Sequence, residues 1–257
     1  MAEHLRKNKI PEIVLLFWIM KICATTLGET AGDLLSMTMN VGYAVSSIIL
    51  LSGFVIVLIG QLAVKRNIPA LYWAVILATS TAGTTMSDYM DRTLGLGYAL
   101  GSLILIILLL TTLWLWHSSE GSLSVTNIKS FRGETFYWIA ILFSNTLGTA
   151  LGDFLADSSG LGFSGGAILI SSILILVILA YYFTKISRVV LFWIAFVLTR
   201  PFGATCGDLL TKTPAQGGLG FGTIGSSAIL FGILVVLIVY ESFRKRPAGQ
   251  NAAAISS

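Results

Sequence analysis

Residues 18–33 read WIMKICATTLGETAGD, and the frame of that stretch decides the fold. It opens on Trp18, places Gly28 ten residues later and closes on Asp33. The frame returns at 73–88 (WAVILATSTAGTTMSD), 138–153 (WIAILFSNTLGTALGD) and 193–208 (WIAFVLTRPFGATCGD). Its markers there are Trp73, Gly83 and Asp88, then Trp138, Gly148 and Asp153, then Trp193, Gly203 and Asp208. A recurring internal period is the mark of a repeat architecture.

Each frame precedes an apolar run: Val45 to Ala63, Ala99 to Trp116, Ala167 to Phe183 and Ala228 to Tyr240. A membrane span needs roughly 20 apolar residues, so these runs with their flanks predict one helix each. The framed stretches predict a more polar first helix in each unit, over 12–36, 69–90, 134–156 and 188–210. Hydrophobic residues make up 55% of the chain and charged residues 11%. A soluble domain carries about 25% charged residues. The reading is an all-α polytopic membrane protein of eight transmembrane helices in four two-helix repeats. An even number of spans per unit predicts parallel repeats about an axis along the membrane normal.

The expected partition is a tail over 1–11, repeats over 12–66 and 67–117, a linker over 118–133, repeats over 134–186 and 187–243, and a tail over 244–257. Short loops within the units carry their own echo, Val41-Gly-Tyr43, Gly95-Leu-Gly-Tyr98, Gly160-Leu-Gly-Phe163 and Gly218-Leu-Gly-Phe221. Glycine suits the reversal and the aromatic suits the membrane interface. The repeated Trp reads as a packing anchor.

Twelve of the sixteen Lys and Arg fall in the tails or between units: Arg6, Lys7, Lys9, Lys65, Arg66, Lys129, Arg132, Lys185, Arg188, Arg244, Lys245 and Arg246. The positive-inside rule makes that side cytoplasmic, with both termini inside a bacterial inner membrane. No basic face on a soluble module exists for nucleic acid, so the expected partners are the lipid bilayer and a small cation or proton. No cleavable leader is expected, because no small-residue cleavage site precedes further apolar sequence. Cys23 and Cys206 have no metal-ligand or disulfide spacing, and His4 and His117 lie outside the expected membrane core.

Steps of four residues expose a polar stripe on each first helix: Lys21, Thr25, Glu29, Asp33; Ser80, Thr84, Asp88, Arg92; Asn145, Thr149, Asp153, Asp157; Arg200, Ala204, Asp208, Lys212. Side chains four apart share a helical face. Ionised groups aimed at lipid cost several kcal/mol, so the stripes are expected to converge on a wet interior. Glu29, Asp33, Asp88, Asp153 and Asp208 become the candidate ion ligands or proton carriers, with Thr25, Asn145 and Thr146 as neutral oxygens. Lys21 and Arg200 are the candidate counter-charges, and Asp91, Arg92, Asp157 and Lys212 are expected in an external mouth. Small residues around the stripe permit close helix approach or a local helix break.

The unit with Trp, the segment Thr26-Leu-Gly-Glu-Thr-Ala-Gly-Asp33 and a second helix resembles a bacterial family of four tandem two-helix repeats. Its members are described as uncharacterised membrane-anchored proteins. The resemblance covers about residues 12–240 and implies fold and topology without an activity. Unit two departs from it, with Ala82 in place of Leu and Ser87 in place of the second Gly. A fainter likeness is to small cation exchangers with Glu-x-Gly-Asp motifs that handle manganese or calcium. Glu29-Thr-Ala-Gly-Asp33 has one residue more and occurs once.

Hard carboxylate oxygens suit magnesium, manganese or calcium. The expected function is therefore a secondary transporter or exchanger of a small cation, a divalent metal coupled to protons. The alternatives are a passive channel with a ring of Asp, a carrier of a small anionic or organic solute held by Lys21 and Arg200, and an accessory subunit. No His-Glu-x-x-His is present, and no enzyme and no cofactor are expected.

Overall fold

A computed structural model describes residues 9–128 and 130–244. Eight α-helices run in order: α1 Leu15–Asp33, α2 Tyr43–Ala63, α3 Pro69–Asp88, α4 Gly97–Glu120, α5 Phe131–Asp153, α6 Gly162–Phe183, α7 Arg188–Thr211 and α8 Thr223–Arg244. The described residues contain no strand. Pro69 starts α3 at the position where its missing N–H costs nothing. Ser130 caps α5 by accepting a 2.8 Å hydrogen bond from the Gly133 amide. The Gly-Leu-Gly loop before α4 needs both glycines, since Gly95 and Gly97 each sit at φ 72°, in the left-handed region.

The Gly-rich segments do not break their helices. In three repeats the helix instead widens into one π turn directly after its Asp: Leu34–Thr38, Tyr89–Thr93 and Phe154–Ser158. Such turns occur preferentially at functional sites. The fourth repeat has none after Asp208 and carries Pro201 within α7. Part of the stretch expected as linker is helical, because α4 continues to Glu120 and α5 begins at Phe131.

The odd-numbered helices close a ring, α1 on α3, α3 on α5, α5 on α7 and α7 on α1. The even helices lie outside, each against the first helix of the following repeat: α2 on α3, α4 on α5, α6 on α7 and α8 on α1. The repeats are therefore interlocked. Six helices are long and apolar enough to cross a membrane: α2, α4, α5 with its π turn, α6, α7 and α8. Only 11% of the apolar window of α2 is buried, against 61% for α5. The outer ring presents its apolar residues outward and the inner ring presents its polar residues inward. α1 and α3 are missing from the six because their polar stripes lower their apolarity.

The recurring Trp closes one end of the inner ring. The residue before each Trp stacks on the Trp of the next helix: Phe17 on Trp73 (5.6 Å between ring centres), Tyr72 on Trp138 (5.5 Å), Tyr137 on Trp193 (6.4 Å) and Phe192 on Trp18 (5.8 Å). The Tyr72 and Tyr137 hydroxyls bond at 2.7 Å, fully buried. The Trp73 indole N–H donates to Glu241 Oε2 at 2.9 Å. Lys9, expected in a solvated basic tail, is 5% exposed. Its ammonium lies 2.8 Å from Glu134 and donates to the Gln61 carbonyl at 2.8 Å, which offsets the cost of burial. The remainder of the expected tails, residues 1–8 and 245–257, and with them His4, Arg6, Lys7, Lys245 and Arg246, lie outside the described residues, as does Lys129.

Candidate functional site

The glycines set the height at which the four ring helices meet. A Cβ on Gly28 would run into Ser80, on Gly148 into Arg200 and on Gly203 into Thr25. On Gly83 it would lie 2.9 Å from the Thr146 nitrogen. Each of these glycines sits five residues before its Asp. It meets the next helix eight residues before that helix's Asp, Gly83 doing so at Asn145 and also touching the Thr146 nitrogen. A second small position, one before the Asp, repeats the pattern. Gly32 faces Thr84 at 2.8 Å, Gly152 faces Ala204 at 2.9 Å and Gly207 faces Glu29 at 2.9 Å, each measured from an added Cβ. Close approach at these points brings the polar stripes together.

Arg200 fills the centre of the ring and is 0% exposed. Its Nη1 bonds Glu29 Oε2 at 2.9 Å. Its Nη2 donates to Thr84 Oγ1 at 2.6 Å, Thr149 Oγ1 at 2.7 Å and the Ser80 carbonyl at 3.3 Å. The Thr84 and Thr149 hydroxyls in turn donate to Glu29 Oε2 at 3.3 Å. One guanidinium thus ties all four inner helices through charge-assisted bonds.

One turn beyond lie Asp33, Asp88, Asp153 and Asp208, each 2–4% exposed. Two cations bridge them in pairs. Arg92 Nε lies 3.0 Å from Asp88 Oδ1 and its Nη2 lies 3.1 Å from Asp153 Oδ2. Lys212 Nζ lies 2.7 Å from Asp33 Oδ2 and 3.1 Å from Asp208 Oδ1. Each cation belongs to an even-numbered repeat and bridges its own Asp to that of the following odd repeat. One oxygen each from Glu29, Asp33 and Asp208 lie within 4.8 Å of one another. Opposite ligands of a calcium-sized ion, at about 2.3–2.6 Å each, stand up to roughly 5 Å apart. Among the described residues these three carboxylates form a group spaced to hold a metal.

Arg92 and Lys212, expected in an external mouth, are the direct partners of the acids. Both side chains still reach the surface, at 32% and 19% exposure. Burial works against the charge on Lys212, just past the end of α7. The neighbouring Asp208 and Asp33 outweigh it and hold the pKa above the ordinary lysine value. Asp157 is exposed and accepts from the Tyr98 hydroxyl at 3.1 Å. Asp91 is not. It is 5% exposed, accepts from Ser87 Oγ at 3.2 Å and fills the space that Gly101 leaves beside α4.

The neutral candidates fall elsewhere. Thr25 Oγ1 is turned to the carbonyls of Lys21, Ile22 and Thr199, and Thr146 Oγ1 donates to the Leu142 carbonyl. A threonine hydroxyl inside a helix readily bonds back to the preceding turn, which removes these two from the acidic layer. Asn145 lies nearer the aromatic end. Its Oδ1 accepts from Lys21 Nζ at 3.3 Å and its Nδ2 donates to Thr79 Oγ1 at 2.8 Å. Lys21, fully buried, also stands 4.0 Å from the Phe196 ring centre. It is therefore no partner of Glu29, which is about 12 Å further along the helix axis by the α-helical rise. Thr84 and Thr149, not among the sequence-derived ligands, hold that place instead. Their signal is the four-residue step before each Asp, where Glu29 also stands.

Fold and site together define an all-helical protein of membrane-crossing composition, in which four repeated helices enclose a buried charge layer. A family model described as a Repeat of Unknown Function (DUF347) matches residues 16–67, 71–122, 136–187 and 191–247, and the chain belongs to that family. No curated protein and no solved structure matches the chain.

Proposed function

We propose that this protein is a secondary transporter in a bacterial inner membrane, exchanging a small divalent cation for protons. In this reading all eight helices span the bilayer, the repeats run parallel, and both termini are cytoplasmic. The aromatic layer then closes the cytoplasmic half, and the charge layer faces the outside through Arg92 and Lys212.

The observation that carries the reading is the charge balance of the buried layer. Five carboxylates contact three cations, Arg92, Arg200 and Lys212, which leaves a formal surplus of two negative charges. A buried surplus of that sign calls for bound cations or protons. One divalent cation or two protons neutralise it equally, which is the requirement for exchange. Carboxylate oxygens select hard ions such as magnesium, manganese or calcium. Arg200, on α7, blocks the axis with bonds to the other three inner helices, which favours a carrier over an open channel. Both terminal nitrogens of its guanidinium are already bonded within the protein, which disfavours a site for anions built on Lys21 and Arg200.

The test is flux in proteoliposomes under an imposed proton gradient. Wild-type protein is expected to move one of these divalent cations. Asp33→Asn and Asp153→Asn are each expected to reduce flux at least tenfold while the protein remains monodisperse. Wild-type flux in both variants overturns the reading.

A further inference from the structure

We infer that the Lys212 ammonium is a tethered substitute for the transported cation, held in its place while the cation is absent and displaced toward the outer face when it binds. The inference rests on the exchanger reading and names the group with which the cation competes.

The two bridging cations differ in ways that single out Lys212. Arg92 uses two nitrogens on two carboxylates, and Nη1 adds a 3.3 Å bond to the Tyr43 hydroxyl. Its guanidinium also stands 5.9 and 5.7 Å from the ring centres of Tyr43 and Tyr98. A planar fork held this way is fixed in orientation. Lys212 is a point charge on a flexible stem, and on its side one oxygen of Glu29 lies within 4.8 Å of oxygens of the bridged pair. Its ammonium hydrogen-bonds Asp33 Oδ2, but its 3.1 Å approach to Asp208 Oδ1 falls outside hydrogen-bond geometry. That oxygen accepts no hydrogen bond, although Asp208 is 4% exposed. A buried carboxylate oxygen with unused acceptor capacity, facing two other carboxylates, is a position prepared for a ligand that the lysine serves incompletely.

The way out is also built. The Lys212 backbone is pinned at both ends, its N–H donating to the Asp208 carbonyl at 2.8 Å and its carbonyl accepting from Gly220 at 2.9 Å. The side chain alone can swing, and it already lies at the rim beside Met37, 3.9 Å from the sulfur. When a divalent cation takes the place of the ammonium, the formal surplus of the layer falls from two negative charges to one, so the layer keeps a counter-charge through the exchange.

The experiment is amine acylation of the purified full-length protein in detergent, read at each lysine by mass spectrometry, with manganese(II), magnesium or calcium chloride added and binding followed by calorimetry. With the cation that binds, labelling of Lys212 is expected to rise at least threefold, with Lys65 unchanged as the internal reference. Lys212→Gln is expected to bind that cation at least tenfold more tightly. Cation binding and flux with Lys212 labelling unchanged or reduced overturns the substitution and leaves the exchanger reading standing. Absence of both binding and flux in the wild type overturns the two together. If Lys212→Gln does not fold, the wild-type labelling decides alone.

Discussion

Arg200 and Glu29 form an ion pair with almost no access to water. Breaking a buried pair from one side leaves the other charge without compensation, at a cost of about 3–5 kcal/mol. Arg200→Met is therefore expected to lower the thermal unfolding midpoint sharply. Replacing Glu29 as well, with Gln, should restore part of the loss. Gly148 touches the same guanidinium stem, and Gly148→Ala forces Arg200 to shift. Overpacking of this kind costs about 1–3 kcal/mol. Gly53→Ala, in open space on α2, is expected to be neutral or to stabilise by up to about 1 kcal/mol. Denaturation of the two alanine variants side by side checks the difference. At this scale the sequence located the acids and Arg200 but not their partners. Asp88 to Arg92 and Asp208 to Lys212 are four-residue steps visible in the chain, whereas the bonds to Asp153 and Asp33 cross between helices and leave no local trace.

The helices divide by what their outer faces meet. Ile56 on α2 is 71% exposed, and such residues cover the outer ring. If that face meets lipid, Ile56→Lys places a charge near mid-membrane, at about 2.5–3.5 kcal/mol on insertion scales. The expected outcome is a smaller membrane-integrated fraction, measured by carbonate extraction, against no change for Ile56→Leu. The first and second helices of each unit were separable in the sequence by their polarity. The π turns were not. Repeat four shares the frame and makes no such turn, so the frame alone does not specify it.

The whole molecule is a closed cycle in which every repeat leans on the next. α4 packs on α5, and α8 returns to pack on α1, so the boundary between the halves is crossed twice. Residues 1–122 and 123–257, expressed apart, are each expected to be degraded or to aggregate. Expressed together, they are expected to co-purify as one complex. Stable, separately folded halves would contradict the interlocking. The same closure explains the joint recurrence of Trp, Gly and Asp. Each marks one layer of the ring: aromatic closure, close approach, and charge.

By itself the sequence determined the four-fold frame, the all-helical class, the membrane-crossing composition and the presence of acids in every unit. Those properties are periodic along one chain, and periodicity is local information. Tertiary structure decided that each outer helix serves the neighbouring repeat, that Arg200 occupies the axis, and that Arg92 and Lys212 bridge the acids. Such pairings depend on which helix stands beside which and at what rotation, and close packing at the glycines sets both only when the ring has closed.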